Sequence, residues 1–259
     1  MKTVKAIARG EGVWSFSPSE DGTLRVRRSH RSRKAFEGLD TMGDRWLLGI
    51  AEVRSGEIEF FTYSTTTKVS SGRYVIWMPA GSLVRSAHRN LDQKMIAWVG
   101  CAQSSCRVAR AFIAREWKGR FPRSMNEVER FIERCGSRVE IEYNPAPGPL
   151  SQRAKYRIDR SFTESIPMSA IARQLRTSAT VMGRAFKRDF DLTPVQYRNH
   201  LRVTAASFEL IEGKAVTRVA EDVGFDDLSR FNKNFKAITR TQPSQFKPRK
   251  SPKKSKIAQ

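Results

Sequence analysis

Two spacings of apolar residues divide the chain. Between Trp46 and Val99 they come in short runs, "WLLGIAEV", "EIEFFTY", "RYVIWM" and "KMIAWV", punctuated by Gly56, Gly72 and Pro79-Ala80-Gly81. Short Val, Ile and aromatic runs between turn residues predict strands, and several in succession predict a small barrel or sandwich. After Gly100 the apolar positions fall three and four apart, the helical spacing. "CRVARAFIAREW" and "SMNEVERFIERCG" are predicted as helices at about 105–135. In the second, Ser124 and Glu127 have capping-box spacing, Val128, Phe131 and Ile132 share a face, and Gly136 is a stop. "NPAPGPLS" (144–151) holds three prolines and a glycine and predicts a linker between domains.

Beyond the linker every segment has helical spacing. "SQRAKYRIDRSF", "MSAIARQL" and "SATVMGRAFKRDF" come first, and Pro194 opens "PVQYRNHLRVTAASFELIEG". In that helix Tyr197, Leu201, Ala205, Phe208 and Ile211 share a face, and Gly213 ends it. "AVTRVAEDVG", "DLSRFNKNFKAI" and a short "PSQF" complete the set. Two of these groups repeat. Ala172 and Leu175 match Ala220 and Val223 at an offset of 48. One residue is gained in the turn, and Ser178, Met182, Phe186, Pro194 and Tyr197 then match Asp227, Phe231, Phe235, Pro243 and Phe246 at 49. Each copy is a short helix, a turn, and a longer helix begun by a good N-cap, which is helix-turn-helix layout.

In the longer helix of each copy the apolar side (Met182, Ala185 and Phe186; Phe231, Phe235 and Ile238) must face its own unit. The opposite side offers Thr180, Gly183, Arg184 and Lys187 in the first copy, and Ser229, Asn232, Lys233 and Lys236 in the second. Cations recur at matched positions, Arg184 with Lys233 and Lys187 with Lys236. Such a cationic, hydrogen-bonding stripe suits the major groove of double-stranded DNA. A linking helix over 195–212 would be about 27 Å long at 1.5 Å per residue, close to the ~34 Å between successive major-groove segments on one face of a duplex.

Composition points the same way. The 259 residues carry a net charge of +22, divided as +9 over 1–150 and +13 over 151–259. That excess implies a polyanionic partner, nucleic acid before an anionic membrane surface. The last residues, 251–259, are expected to be a disordered basic tail. No apolar run has the length of a membrane span and no secretion signal is recognisable, so a cytoplasmic location without membrane contact is expected. Cys101, Cys106 and Cys135 are too few for a disulfide frame and lack partners at zinc-binding spacing. No metal, cofactor or catalytic constellation is predicted, and the chain is not expected to be an enzyme.

Residues 151–249 resemble the DNA-binding domain of the AraC/XylS family of bacterial transcription regulators. The second copy carries the more specific part of the resemblance, "VAEDVGFDDLSRFNKNFKAITRTQPSQFK", and the first matches through "IARQLRTSATVMGRAFKRDFDLTPVQYR". The resemblance implies that Thr180, Gly183 and Arg184 face bases in one copy, and Ser229, Arg230 and Lys233 in the other. It departs from the family where the glycine usual after each recognition helix is Asp191 or Arg240, and where Arg230 replaces an aromatic. "SGRYVIWMPAGSLVRSAH" resembles a segment of the cupin-type sensor domains common in this family. His30 and His88 stand apart without the ligand set of cupin enzymes. A small-molecule effector pocket lined by Trp46, Phe61, Tyr74 and Trp77 is a further expectation, as is a homodimer through the 105–135 helices. The expected architecture is therefore α+β. A β-rich, cupin-like domain with flanking helices (1–145) precedes an all-α domain of two helix-turn-helix units joined by a linker helix (146–250). The expected function is a sequence-specific, effector-responsive transcription regulator, with an effector-independent architectural DNA-binding protein as the alternative.

Overall fold

The computed structural model describes residues 5–9, 12–18, 23–33, 35–101, 110–115 and 125–246. The first half is one antiparallel sheet. Its strands are β1 (Lys5–Arg9), β2 (Gly12–Pro18), β3 (Leu24–Arg31), β4 (Phe36–Thr41), β5 (Arg45–Phe61), β6 (Thr66–Val69), β7 (Gly72–Met78), β8 (Leu83–Cys101), β9 (Phe112–Arg115) and β10 (Arg138–Glu140). The order is β1-β2-β3-β8-β5-β7-β9-β10, with β4 also on β8 and β6 also on β5. The long strands β5 and β8 are the spine, and each changes neighbours along its length. β8 pairs with β4 over 83–88 and with β3 over 92–99, while β5 pairs with β7 over 47–53 and with β6 over 58–61.

The change of neighbours falls at an irregularity in β5 between Val53 and Glu57. Gly56 has φ 83° there, and a Cβ on it would lie 2.3 Å from the Asn90 carbonyl oxygen, so no other residue fits. The sequence pattern predicted a turn at Gly56 between two strands. It is instead a bulge inside one strand, because both features select a residue free to take positive φ.

A second expectation is corrected at β9. "CRVARAFIAREW" was expected to be helical, yet Phe112–Arg115 forms a strand paired with β7 and β10. Phe112 and Ala114 enter the core beside Trp77, while Ile113 enters the core on the opposite face. A strand buried on both faces reads as an unbroken apolar run, which periodicity cannot distinguish from a helix. The following helix, α1 (Met125–Arg134), forms as expected. Its proposed cap Ser124, Cys106 and the 251–259 tail lie outside the described residues.

The sequence reading left β1–β4 unassigned. In β3, "LRVRRSHR", the inward positions after Val26 are Arg28 and His30, so polar residues hide the alternation. One face of the sheet buries Phe16, Val26, Tyr74, Met95 and Ile113, and the other buries Trp46, Leu48, Val75, Trp77 and Phe112 beneath Ile132 of α1.

The second half consists of α2 (Pro149–Ser161), α3 (Met168–Gln174), α4 (Ala179–Phe190), α5 (Pro194–Ile211), α6 (Val216–Asp222), α7 (Leu228–Thr239) and a 3-10 turn, Pro243–Phe246. α5 starts at a full capping box, Thr193 with Gln196. Its apolar surface is broader than the face read from the sequence. Tyr197 and Leu201 pack with Ile158, Ile171, Met182 and Phe186 of the first unit. Val203, Ala206, Leu210 and Ile211 pack with Val219, Phe225, Phe231 and Phe235 of the second, while Ala205 and Phe208 are only half-buried. One helix thus serves two cores.

The sheet docks directly on these helices. Leu83, at the start of β8, is buried in the first unit's core. Thr204 Oγ1 donates to the Thr41 carbonyl at 3.2 Å, and the Arg45 guanidinium lies 4.4 Å from the Phe208 ring centre. The proline-rich linker is fastened to α4: Asn144 Nδ2 donates to the Asp189 carbonyl at 2.9 Å, and the Gly148 amide donates to the Asp189 carboxylate at 2.9 Å.

Candidate nucleic-acid interface

The two helix-turn-helix units agree bond by bond. In the turns, the Thr177 amide donates to the Ala172 carbonyl at 3.0 Å and the Phe225 amide to the Ala220 carbonyl at 2.9 Å. Just before each, a residue takes the left-handed conformation, Arg176 at φ 56° and Gly224 at φ 89°. The offset is still 48 at these bonds, so the extra residue of the second copy is Asp226.

From the caps onward the offset is 49. Ser178 Oγ accepts from the Val181 amide at 3.2 Å, and the Asp227 carboxylate accepts from the Ser229 and Arg230 amides at 3.0 and 2.9 Å. Both helices end on left-handed residues, Asp191 (φ 54°, ψ 20°) and Arg240 (φ 57°, ψ 22°), each donating its amide to the carbonyl four residues back.

Capping and burial together set which side faces out. Met182 and Phe186 of α4, and Phe231 and Phe235 of α7, are fully buried. Thr180, Arg184 and Lys187 are exposed on α4 with Gly183 half-buried between them, while Ser229, Arg230, Lys233 and Lys236 are exposed on α7 beside a half-buried Asn232. The structure thus groups the nine proposed DNA-facing residues on the outer sides of these two helices.

Their charges are not equally available. Among the described residues the side chains of Arg184, Lys233 and Lys236 form no ion pair or hydrogen bond. Lys187 Nζ donates to the Asp191 carbonyl and carboxylate, both at 2.7 Å. The same carboxylate pairs with Arg85 of β8. Lys187 first, and then Arg85, hold the Asp191 carboxyl below its ordinary range against the opposing effect of burial. Asp226 accepts from Ser165 Oγ at 3.1 Å.

The sequence reading missed three polar residues behind this surface. Arg198 and Arg202 of α5 donate to backbone carbonyls of the α2–α3 loop, and Asp189 holds the linker. Two arginines four apart, on the same side of α5 as apolar Val195 and Ala206, are the signal that could have found the first two.

Residues 171–249 match the family described as a helix-turn-helix domain. A stretch of 91 residues, 35% of this chain, is 34% identical to the bifunctional transcriptional activator/DNA repair enzyme AdaA of Bacillus subtilis (strain 168). The match covers 43% of AdaA, so the chain spans less than half the length of that relative. Over nearly its whole length the chain also shares a fold with ToxT of Vibrio cholerae strain SCE256. An apo structure of a ToxT point variant aligns with 89% of this chain and 98% of ToxT at TM-score 0.57 and 11% identity. The unsaturated fatty acid bound wild-type ToxT aligns with 89% and 96% at TM-score 0.53, also with 11% identity. The helix-turn-helix domain of residues 171–249 is of the AraC type.

The β-rich half departs from the expected effector pocket. Trp46 and Trp77 share one core, with ring centres 6.0 Å apart. Tyr74 belongs to the opposite core and donates its hydroxyl to the Ser70 carbonyl at 3.0 Å. Alternation along β7 puts residues three apart on opposite faces, so Tyr74 and Trp77 cannot line one pocket. Phe61 lies at the far end of β5, half-buried.

His30 and His88, distant in the sequence, meet in the structure. The His30 and His88 rings stand edge-on at 6.2 Å, and His88 Nε2 lies 3.1 Å from Ser86 Oγ. Burial, reinforced by Arg28 and His30, pushes His88 down to about 3, so it stays neutral at physiological pH. No group of three His, Cys, Asp or Glu side chains suited to a metal exists among the described residues. An open depression of about 470 Å³ lies at the bulge end of the sheet, lined by Arg31, Ser32, Arg33, Ser55, Asn90, Leu91 and Asp92.

Proposed function

We propose that this protein regulates transcription by reading specific promoter DNA with α4 and α7, and that a small molecule held by the β-rich half adjusts that reading. The observation that carries the first part is the pair of matched recognition helices, each with its apolar side buried and its cationic side exposed. Phosphate contacts from the lysines would supply position, and Arg184 would supply a bidentate contact to guanine. The effector part rests on the fold shared with ToxT, which has been seen with an unsaturated fatty acid. It rests also on the direct contacts from β4, β5 and β8 to α4 and α5, which give a bound molecule a route to the DNA-facing helices. We read the protein as a transcription factor and not an enzyme.

Genome-wide mapping of bound sites, with selection of sites from a random DNA pool, tests the reading. A sharp two-part motif at few promoters is the expected result. The net charge of +9 over residues 1–150 favours a second reading, an architectural DNA-binding protein. That reading predicts broad coverage without a motif. A thermal-shift screen of fatty acids and other metabolites, repeated with promoter DNA, tests the effector: a ligand that stabilises the protein and changes DNA affinity is expected.

A further inference from the structure

Residues 162–167 join α2 to α3 in the first unit, yet they touch the second. Arg202 of α5 is buried, donates Nε to the Phe162 carbonyl at 2.5 Å and Nη2 to the Glu164 carbonyl at 2.9 Å, and lies 5.4 Å from the Phe225 ring centre. One turn earlier, Arg198 Nη1 donates to the Ile166 carbonyl at 2.5 Å. The Thr163 carbonyl sits against Gly224, where a Cβ would come within 2.1 Å of the oxygen. Ser165 donates to Asp226, the residue that the second copy has and the first lacks.

The loop is therefore held between the linker helix and the turn of the second unit. α5 alone joins the units in series and leaves one connection. The loop adds a second, from the first unit to the second unit's turn, and two attachments oppose rotation where one does not. Burying a guanidinium is costly, and burial lowers the pKa of Arg202 to about 10. Its planar fork gives directional bonds to two carbonyls in return, which an apolar side chain of equal volume could not supply.

Resting on the DNA-reading function above, we propose that Arg202 is a positioning residue that locks the two recognition helices at one separation, so that the protein selects the spacing between half-sites. One inserted base pair moves a half-site by about 3.4 Å and turns it by about 34°. A rigid pair of readers cannot follow that change, and a hinged pair can.

The test uses the full chain and a site selected from a random DNA pool, with each half-site alone and with one to three base pairs inserted between them. Wild type is expected to lose tenfold or more in affinity for one insertion. Arg202→Met is expected to bind each half-site within threefold of wild type, bind the full site at least tenfold more weakly, and lose less than threefold per insertion. Arg202→Lys and Asp226→Ala carry the same comparison should Arg202→Met fail to fold, and a partial loss of spacing selectivity is expected from each. Equal losses on half-sites and full site, or variants that keep the wild-type penalty for insertion, overturn the proposal. A wild type that selects two half-sites but tolerates insertions also overturns it while leaving the DNA reading intact. A wild type that selects no sequence refutes the DNA reading itself.

Discussion

Both α4 and α7 end on a left-handed residue that carries a Cβ, Asp191 with φ 54° and Arg240 with φ 57°. The left-handed conformation costs a residue with a Cβ about 1–2 kcal/mol, and glycine avoids that cost while giving up about 0.4–1 kcal/mol through its freer unfolded chain. Arg240→Gly should therefore raise stability by about 0.5–1 kcal/mol, read as a higher urea midpoint at unchanged slope. Asp191→Gly should gain less or nothing, because it also loses the pairs with Lys187 and Arg85. Gly224 is the reverse case. With φ 89° and the Thr163 carbonyl in the path of any Cβ, Gly224→Ala combines backbone strain with overpacking. A loss of about 2–4 kcal/mol is expected in the same denaturation experiment.

At the scale of elements, α4 and α7 share a frame but not a charge environment. The side chain of Arg184 has no partner among the described residues, whereas Asp226 and Asp227 stand just before α7. Arg184→Ala should cost about 1–3 kcal/mol on the preferred site and relax choice at one base pair, and Lys233→Ala should cost less. Competition assays with single-base variants at two salt concentrations check the ranking. A larger loss of discrimination from Lys233→Ala would reverse it. Lys187 is tied to Asp191, so its ammonium is partly spent within the helix cap. Asp191→Asn removes a negative charge and loosens that tie. Tighter binding to all sequences is expected, with a salt slope steeper by about one unit.

Over the whole molecule, the sheet and the helices share contacts at Leu83, Thr41, Arg45 and Arg85, and the linker is latched by Asp189. Residues 146–250 still contain nearly all of both helical cores. That fragment is expected to be helical by circular dichroism and to bind DNA, but to melt below the full chain because the surface under Leu83 is uncovered. Asp189 adds a pH dependence. Its bond with Arg188, aided by Ser151 and the Gly148 amide, holds its carboxyl below the ordinary 3.8. A depressed pKa stabilises the fold above the unfolded value, and the contribution disappears as pH falls through the folded one. Asp189→Asn should thus cost about 1–2 kcal/mol at pH 7, and its difference from wild type should shrink as pH falls below the ordinary 3.8. Parallel urea titrations across pH 3–7 measure it.

The helical half was legible in the chain because its information is local. Caps such as Ser178 and Asp227, the three-and-four spacing of Met182 and Phe186, and the repeated offset all lie within one or two turns of each other. They determine the two units, the linker helix and the outward residues. The sheet was legible only where inward residues are apolar. Arg28 and His30 hid β3, the doubly buried Phe112–Arg115 passed for helix, and Gly56 passed for a turn. Tertiary structure alone decided what depends on distant partners. It brought His30 to His88, parted Tyr74 from Trp77, and set Leu83 into the helical core. It also placed the α2–α3 loop between Arg202 and Gly224, 22 residues apart along the chain. Spacing within a helix or strand sets which side a residue faces. What meets that side depends on packing, and packing is a property of the whole chain.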